Sequence, residues 1–205
     1  MSKNIFFISD THFGHDNMYK FLDYSGERVR PIAENAEEGD EIMTERWNSV
    51  VKPNDKVYHL GDVVFRASNR DEIMKRLNGE KILVKGNHDR LKLCWYSQYF
   101  KDVRGTVHID GNYLLSHFPV HPDSKGRFVR NLHGHIHSQL VMKTQKIIAT
   151  FANGDKEVTD YERTPDLWYR NCCVERNNYT PIPFELIKEE TENLIQEGVI
   201  VIPKK

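Results

Sequence analysis

An α/β fold built on parallel strands is predicted by three observations on this 205-residue chain. Short apolar runs without helical period recur and read as buried strands. Segments of helical spacing lie between the first three of them, and such alternation implies right-handed crossovers onto one sheet. Each of these three strands also runs straight into a polar cluster of Asp, Asn, His and Gly.

The first strand is Asn4-Ile-Phe-Phe-Ile-Ser9. Residues 16–40 follow as a long polar stretch with Gly26, Pro31 and Gly39, a length that implies a functional loop. Ile42, Met43, Trp47 and Val50 predict a helix from Asp40 to Val50. Pro53-Asn-Asp55 is a turn into the second strand, Lys56-Val-Tyr-His-Leu60. Asn69 and Glu72 stand at capping-box spacing before a helix carrying Ile73, Met74 and Leu77, which Asn78-Gly79 closes. The third strand is Lys81–Lys85. Further strands are predicted over 112–116, 129–133, 146–151 and 170–175, then a helix over 184–197 ended by Gly198, and an edge strand over 199–202. There is no repeat or low-complexity segment, and the reading is one domain over residues 1–205.

Lys and Arg number 29 against 30 Asp and Glu, a net charge of −1. That balance argues against a broadly basic nucleic-acid binder, while leaving room for a local basic groove. No apolar run approaches the roughly 18 residues of a membrane span, and the N-terminus lacks signal-peptide architecture. Cys94, Cys172 and Cys173 are odd in number and include an adjacent pair, so they read as free thiols in a reducing, cytoplasmic compartment. The 10 histidines stand out.

Their positions explain them. The first strand ends in Asp10-Thr-His12, the second in Gly61-Asp62, the third in Gly86-Asn-His-Asp89, and two later strands in His117 and Gly134-His-Ile-His137. Ligands collect at the carboxyl ends of strands in open α/β sheets. Imidazole, carboxylate and amide oxygen suit a hard or borderline divalent cation, and the set contains no thiolate. Mn, Fe, Zn or Ni fits that donor set. A single Gly-Asp dipeptide is ordinarily a turn, but the whole ordered series at successive strand ends points to a metal centre.

The series Asp10-x-His12, Gly61-Asp62, Gly86-Asn-His-Asp89, His117 and Gly134-His-x-His137 resembles the calcineurin-like metallophosphoesterase superfamily. Asp-Thr-His-Phe-Gly-His at 10–15, Trp47-Asn48 and Tyr58-His-Leu-Gly-Asp62 are similar to its small phage and bacterial branch. The resemblance implies two packed mixed β-sheets flanked by helices, with a dinuclear site at the C-terminal ends of strands. It assigns Asp10, His12, Asp62 and His137 to one metal, with Asp62 bridging to a second held by Asn87, His117 and His135. Manganese is the favoured ion. Two cations about 3.5–4 Å apart call for one carboxylate with an oxygen for each, and metal binding can bring the pKa of water to about 7. A hydroxide between the metals is the implied nucleophile. His88 is implied to sit by the leaving-group oxygen as proton donor, making His88 and Asp62 the catalytic pair. Asp89 reads as a loop-orienting residue.

One departure limits the substrate. The protein-phosphatase branch has an Asp and an Arg three and four residues after the bridging Asp, where this chain has Phe65 and Arg66. The missing Asp counts against protein-phosphatase activity, and Arg66 keeps the place of a phosphate-binding Arg. His15 is a further candidate for substrate contact, as are Arg28 and Arg30 if the polar loop folds over the site. His121 and His133 read as structural neighbours of ligands, and His59 and His108 as ordinary. Cys172 and Cys173 read as a buried and a half-buried thiol. The expected substrate is a phosphate ester, a diester ahead of a monoester, on a nucleotide or nucleic acid. A nuclease would want a basic track, for which Lys125, Arg127, Arg130, Lys143 and Lys146 give faint support. A non-catalytic interaction module has no reason to retain His88, and no membrane partner is expected.

Overall fold

The computed structural model describes residues 3–23, 25–65, 69–151, 154 and 156–201. Side chains alternate across the first strand, β1 (Ile5–Ile8), and this sets up two apolar layers. Phe6 and Ile8 pack with Met43, Trp47, Val57 and Leu83, whereas Phe7 packs with Tyr58, Val84, Leu115 and Leu132. Both faces of the strand are therefore buried, which is why its sequence is continuously apolar.

Helix α1 (Ala36–Val50) begins four residues before the predicted start. Asn35 caps it, accepting from the Glu38 N–H at 3.0 Å, and Glu37 and Glu38 lie in the first turn where the helix dipole favours acids. Then come β2 (Lys56–His59), α2 (Arg70–Arg76), β3 (Glu80–Val84), α3 (Leu93–Tyr96) and β4 (Asp102–Arg104). Asn69 is the residue preceding α2, but its side chain makes no capping bond, so the predicted box does not form. β1, β2, β3 and β4 pair in parallel, with Trp47, Ile73, Met74 and Tyr96 of the helices buried against one face.

The second half supplies β5 (Thr106–Ile109), β6 (Tyr113–Ser116), β7 (Arg130–His133), β8 (Met142–Thr150), β9 (Lys156–Pro165), β10 (Tyr169–Asn171), β11 (Ile182–Pro183) and α4 (Phe184–Gln196). β11 returns antiparallel to the outer side of β1, giving the order β11-β1-β2-β3-β4. The second sheet runs β10-β7-β6-β5, with only β5 antiparallel. Two mixed sheets thus pack through Phe7, Leu115 and Leu132, with helices on the outside, and the fold class read from the sequence holds.

Several elements differ from the sequence reading, which does not anticipate α3, β4, β5 or β11. β8 and β9 form a separate two-stranded ribbon, and β9 was hidden because Lys156–Pro165 is exposed along nearly its whole length and carries no apolar alternation. The strand expected over 170–175 stops at Asn171 and turns through a short 3-10 segment at Val174–Arg176. No edge strand forms over residues 199–201: the N–H groups of Val199 and Ile200 both donate to Leu194 O, closing α4 instead of pairing with a sheet. Ile202 lies outside the described residues. Among the described residues no helix is long and apolar enough to cross a membrane.

Candidate active site

Beyond the ends of β1 and β2 the chain continues as two adjacent loops. Asp10 N–H donates to Gly61 O at 2.9 Å and His12 N–H to Asp62 O at 3.0 Å, and Phe13 bridges to Val64. This lateral bonding replaces the sheet ladder and frees the backbone from strand geometry. Asp10, His12, Asp62, His135 and His137 all adopt left-handed backbone, with φ of 59°, 47°, 58°, 74° and 50°. Residues with a Cβ seldom adopt that region, and where they do the strain clusters at functional sites. Here it turns Asp10, His12, Asp62 and His137 toward one centre and His135 into the cleft beside it, where an extended strand would alternate them. Gly61, at φ +103°, admits the close approach behind them: a Cβ there would sit 2.6 Å from His117 Nδ1 and 2.7 Å from Gly86 N.

The donor atoms fall in two overlapping groups, Asp10–His12–His137 and Asp10–Asp62–His117, each within 4.8 Å. Asp10 Oδ1 is 3.7 Å from His12 Nε2 and 3.9 Å from His137 Nε2. Asp62 Oδ2 is 3.6 Å from His12 Nε2 and 3.4 Å from His117 Nε2, and Asn87 Oδ1 is 2.9 Å from His117 Nε2. Asp62 thus faces both groups, but through one oxygen. Its Oδ1 accepts the His88 N–H at 2.8 Å. His135 lies outside both groups; its ring is 5.2 Å from that of His117 and 4.3 Å from Phe118, and it lines the cleft.

Two histidines are locked by what lies behind them. His117 Nδ1 bonds Leu60 O at 2.8 Å and His137 Nδ1 bonds Glu175 Oε1 at 3.1 Å, so each turns its Nε2 toward the centre. Asp10 Oδ1 and both ring nitrogens of His12 are buried without a hydrogen-bond partner. A carboxylate oxygen and imidazole nitrogens buried unpaired are costly, and a cation relieves them. The donors present therefore fit divalent cations, with Asp10, His12, Asp62, Asn87, His117, His135 and His137 as the groups available to hold them. Burial pushes the carboxyls of Asp10 and Asp62 up, but the surrounding histidines outweigh it and both end below the usual carboxylate range. Cys173 Sγ lies 3.2 Å from Asp10 Oδ2, and burial together with that carboxylate raises the thiol well above its usual value. It is a neutral donor to Asp10, not a thiolate.

His88 is half-buried with its ring 5.5 Å from that of His12, in a cleft of about 1030 Å³ that also exposes His15, Phe65, Phe21 and Ile136. His15 is where the sequence suggested, edge-on to Phe65 at 3.8 Å; burial, with help from His12, lowers its pKa to about 4, so it is an uncharged ring at neutral pH. Arg28 and Arg30 are not in the cleft. Arg28 makes a two-point pair with Glu34 on the surface. Arg30 is 0% exposed and bonds Glu175 Oε1 at 2.6 Å and the carbonyls of Asp10 and Thr11 at 2.8 Å. Both departures share one cause: a nearby carboxylate takes the guanidinium before a substrate could. Arg66 lies outside the described residues.

Sequence reasoning missed Glu175, which stands alone after β10 with no motif around it. Asp89 turns out to tie the loops together, accepting the N–H groups of Asp62 at 2.9 Å, Val63 at 3.0 Å and Gly86 at 2.8 Å. His59 bonds Thr11 Oγ1 at 3.0 Å and receives the Gly61 N–H at 3.2 Å; burial lowers its pKa to about 3, so it is a neutral strut beneath the site. Burial likewise lowers His133 to about 4. Cys172, expected together with Cys173 as one buried and one half-buried thiol, is fully buried, as is Cys173.

Comparison with known proteins agrees with this arrangement. The chain is 29% identical over 207 residues to the uncharacterized protein MJ1445 of Methanocaldococcus jannaschii, covering 97% of this chain and 95% of that one. It is 30% identical over 173 residues to the gene 66 protein of Mycobacterium phage D29, covering 69% and 82%. The solved structure of AQ665, a protein of unknown function from Aquifex aeolicus, shares the fold with a TM-score of 0.61 at 24% identity, over 92% of this chain and 99% of that one. The family profile for calcineurin-like phosphoesterases matches residues 3–195, which takes in every strand-end loop of the centre. Residue pattern, geometry and profile converge, and the chain belongs to the calcineurin-like phosphoesterase family.

Proposed function

We propose that this protein hydrolyses a phosphodiester in a reaction that depends on two divalent cations, manganese foremost. The carrying observation is the position of Asp62 Oδ2, 3.6 Å from His12 and 3.4 Å from His117, with the same carboxylate tethering His88 through its other oxygen. When bound, the cations would supply activation of water and neutralisation of phosphoryl charge. His12, His117, His135 and His137, with Asp10, Asp62 and Asn87, are the residues that would hold them.

His88 supplies the acid. The oxygen of water bonds to phosphorus as the bond from phosphorus to the leaving oxygen breaks. The imidazolium of His88 gives its proton to that oxygen, releasing an alcohol and a phosphomonoester; water's own protons pass to solvent. Such a general acid contributes about 10²–10⁴-fold. Among the described residues no Lys or Arg lines the cleft, and this favours a singly charged diester over a doubly charged monoester. The free thiols of Cys94, Cys172 and Cys173 support action in the cytoplasm.

The reading is tested by assaying bis-p-nitrophenyl phosphate and p-nitrophenyl phosphate with Mn²⁺, Fe²⁺, Zn²⁺ and Ni²⁺ added in turn. Faster turnover of the diester is expected. Inertness of both esters with every metal would overturn the hydrolase, and a preference for the monoester would overturn the diester assignment.

A further inference from the structure

The cleft has two unlike walls. One is the histidine and carboxylate cluster; the other comes from Met18, Phe21, Leu22, Asp23, Ser25 and Val29, and Ile136 also lines the cleft. A tight turn shapes that second wall: Val29 N–H donates to Phe21 O at 2.9 Å, Asp23 N–H to Glu27 O at 2.8 Å, and Leu22 bridges antiparallel to Arg28. The turn presents Met18, Phe21, Leu22 and Val29 to the cleft. Phe21 is 49% exposed and Leu22 61%, a large apolar area left in water beside a highly polar centre.

Rings continue from this wall to the proton donor. Phe21 lies 6.1 Å from His15, His15 3.8 Å from Phe65, and Phe65 6.5 Å from His88, centroid to centroid. The edge so formed is a staggered run of rings, tilted to one another by 44°, 83° and 52°, with Phe21 as its exposed apolar end. Asp23 lines the cleft, no Lys or Arg lines it among the described residues, and Arg28 and Arg30 are paired with Glu34 and Glu175; Arg90 stands beside Phe65 and His88 in a smaller adjoining pocket. A polyanion is held through a track of cations on its successive phosphates, and among the described residues the main cleft carries no such track. A single phosphate at the histidine cluster, joined to a flat aromatic group, matches both walls.

We infer that the substrate is a small phosphate ester carrying one planar aromatic group of aryl or nucleobase size, seated on Phe21 and Leu22, and not a nucleic-acid strand. The inference rests on the phosphoester reading above and narrows it. Stacking of a base on an aromatic side chain contributes about 5- to 150-fold in affinity, so loss of Phe21 should weaken an aromatic ester by about fivefold or more.

The test is equilibrium binding to the Mn²⁺-loaded protein by titration calorimetry, with the diesters methyl phenyl phosphate and dimethyl phosphate and a dodecathymidylate as probes. Methyl phenyl phosphate should bind at least about fivefold tighter than dimethyl phosphate, and this preference should collapse in Phe21→Ala and shrink in Leu22→Ala. Equal affinity for the two small diesters, or a preference that survives both exposed-residue variants, would overturn the proposal. So would tighter binding of the oligonucleotide with a steep salt dependence. Because affinity is read apart from turnover, a protein that prefers methyl phenyl phosphate yet hydrolyses no ester would sustain this subsite and sink the hydrolase. One that hydrolyses esters without the preference would do the opposite.

Discussion

Glu175 Oε1 lies 3.1 Å from His137 Nδ1, and so fixes a cleft histidine from a position buried behind it. The same oxygen receives Arg30 Nη2 at 2.6 Å, and Arg30 also grips the carbonyls of Asp10 and Thr11. Burial pushes the Glu175 carboxyl up, but Arg30 and His137 outweigh it and hold it below its usual range. Its stabilisation is therefore present above the unfolded pKa near 4.5 and lost as pH falls through the lower folded value. Glu175→Ala leaves Arg30 buried without a countercharge, a loss of about 3–5 kcal/mol. Removing the support of a ligating histidine also lowers metal affinity about 10–100-fold. Glu175→Gln keeps an acceptor and should lose less of both. Urea denaturation and Mn²⁺ titration measure the pair; a Glu175→Ala protein with parental metal affinity would break the link to His137.

His88→Ala should retain the metal content of the parent while turnover of bis-p-nitrophenyl phosphate drops about 10²–10⁴-fold. Its backbone N–H to Asp62 is preserved in the variant, so the carboxylate stays in place. Metal analysis alongside kcat decides the matter. Lost metal with full activity per remaining ion would reassign His88 to ligand.

Asp89 gathers three backbone N–H groups from two loops. Asp89→Ala strands all three in a buried place, at about 1–3 kcal/mol for each unsatisfied donor. The expected result is a steep drop in Tm or insoluble protein. Asp89→Asn, retaining one acceptor oxygen, should fall between. Thermal melts of both rank them, and an Ala variant as stable as Asn would show that the acceptors carry little.

Asp40 is 3% exposed, and burial raises its carboxyl to about 7, the Gly14 N–H at 2.8 Å offsetting only part of that. A folded pKa above the unfolded value near 4 means that the contribution to stability is full below the lower value and fades as pH rises through 7. Asp40→Asn keeps an acceptor for Gly14 and removes the charge. Its Tm should exceed the parent's at pH 8, and the gap should narrow as pH falls from 7 and close near pH 4. A gap that is constant with pH would place the effect elsewhere.

The strand-end loops were legible in the sequence because strand and motif signals coincide there: an apolar run to Ile8, Leu60 or Val84 and then polar residues with glycine. The same logic failed for β9, whose exposed faces leave no hydrophobic period to read. It failed also for Glu175, which is 145 residues from Arg30 and 38 from His137, partners that only the fold brings near. Arg28 and Arg30 illustrate a further limit. Chain position put both beside the cleft, but local sequence does not say which carboxylate captures a guanidinium. The single-oxygen approach of Asp62 likewise depends on the His88 N–H, a backbone detail that no residue identity encodes.

The left-handed backbone at Asp10, His12, Asp62, His135 and His137 also bears on how such a chain can evolve. Those positions carry strain that glycine would relieve, and His12 adds two buried nitrogens without partners. Replacing them while the cations are absent moves the fold toward greater robustness, the familiar opposition between function and stability. Drift into an inert scaffold is thus downhill for folding. Keeping all five residues therefore costs folding stability, which bound cations would offset.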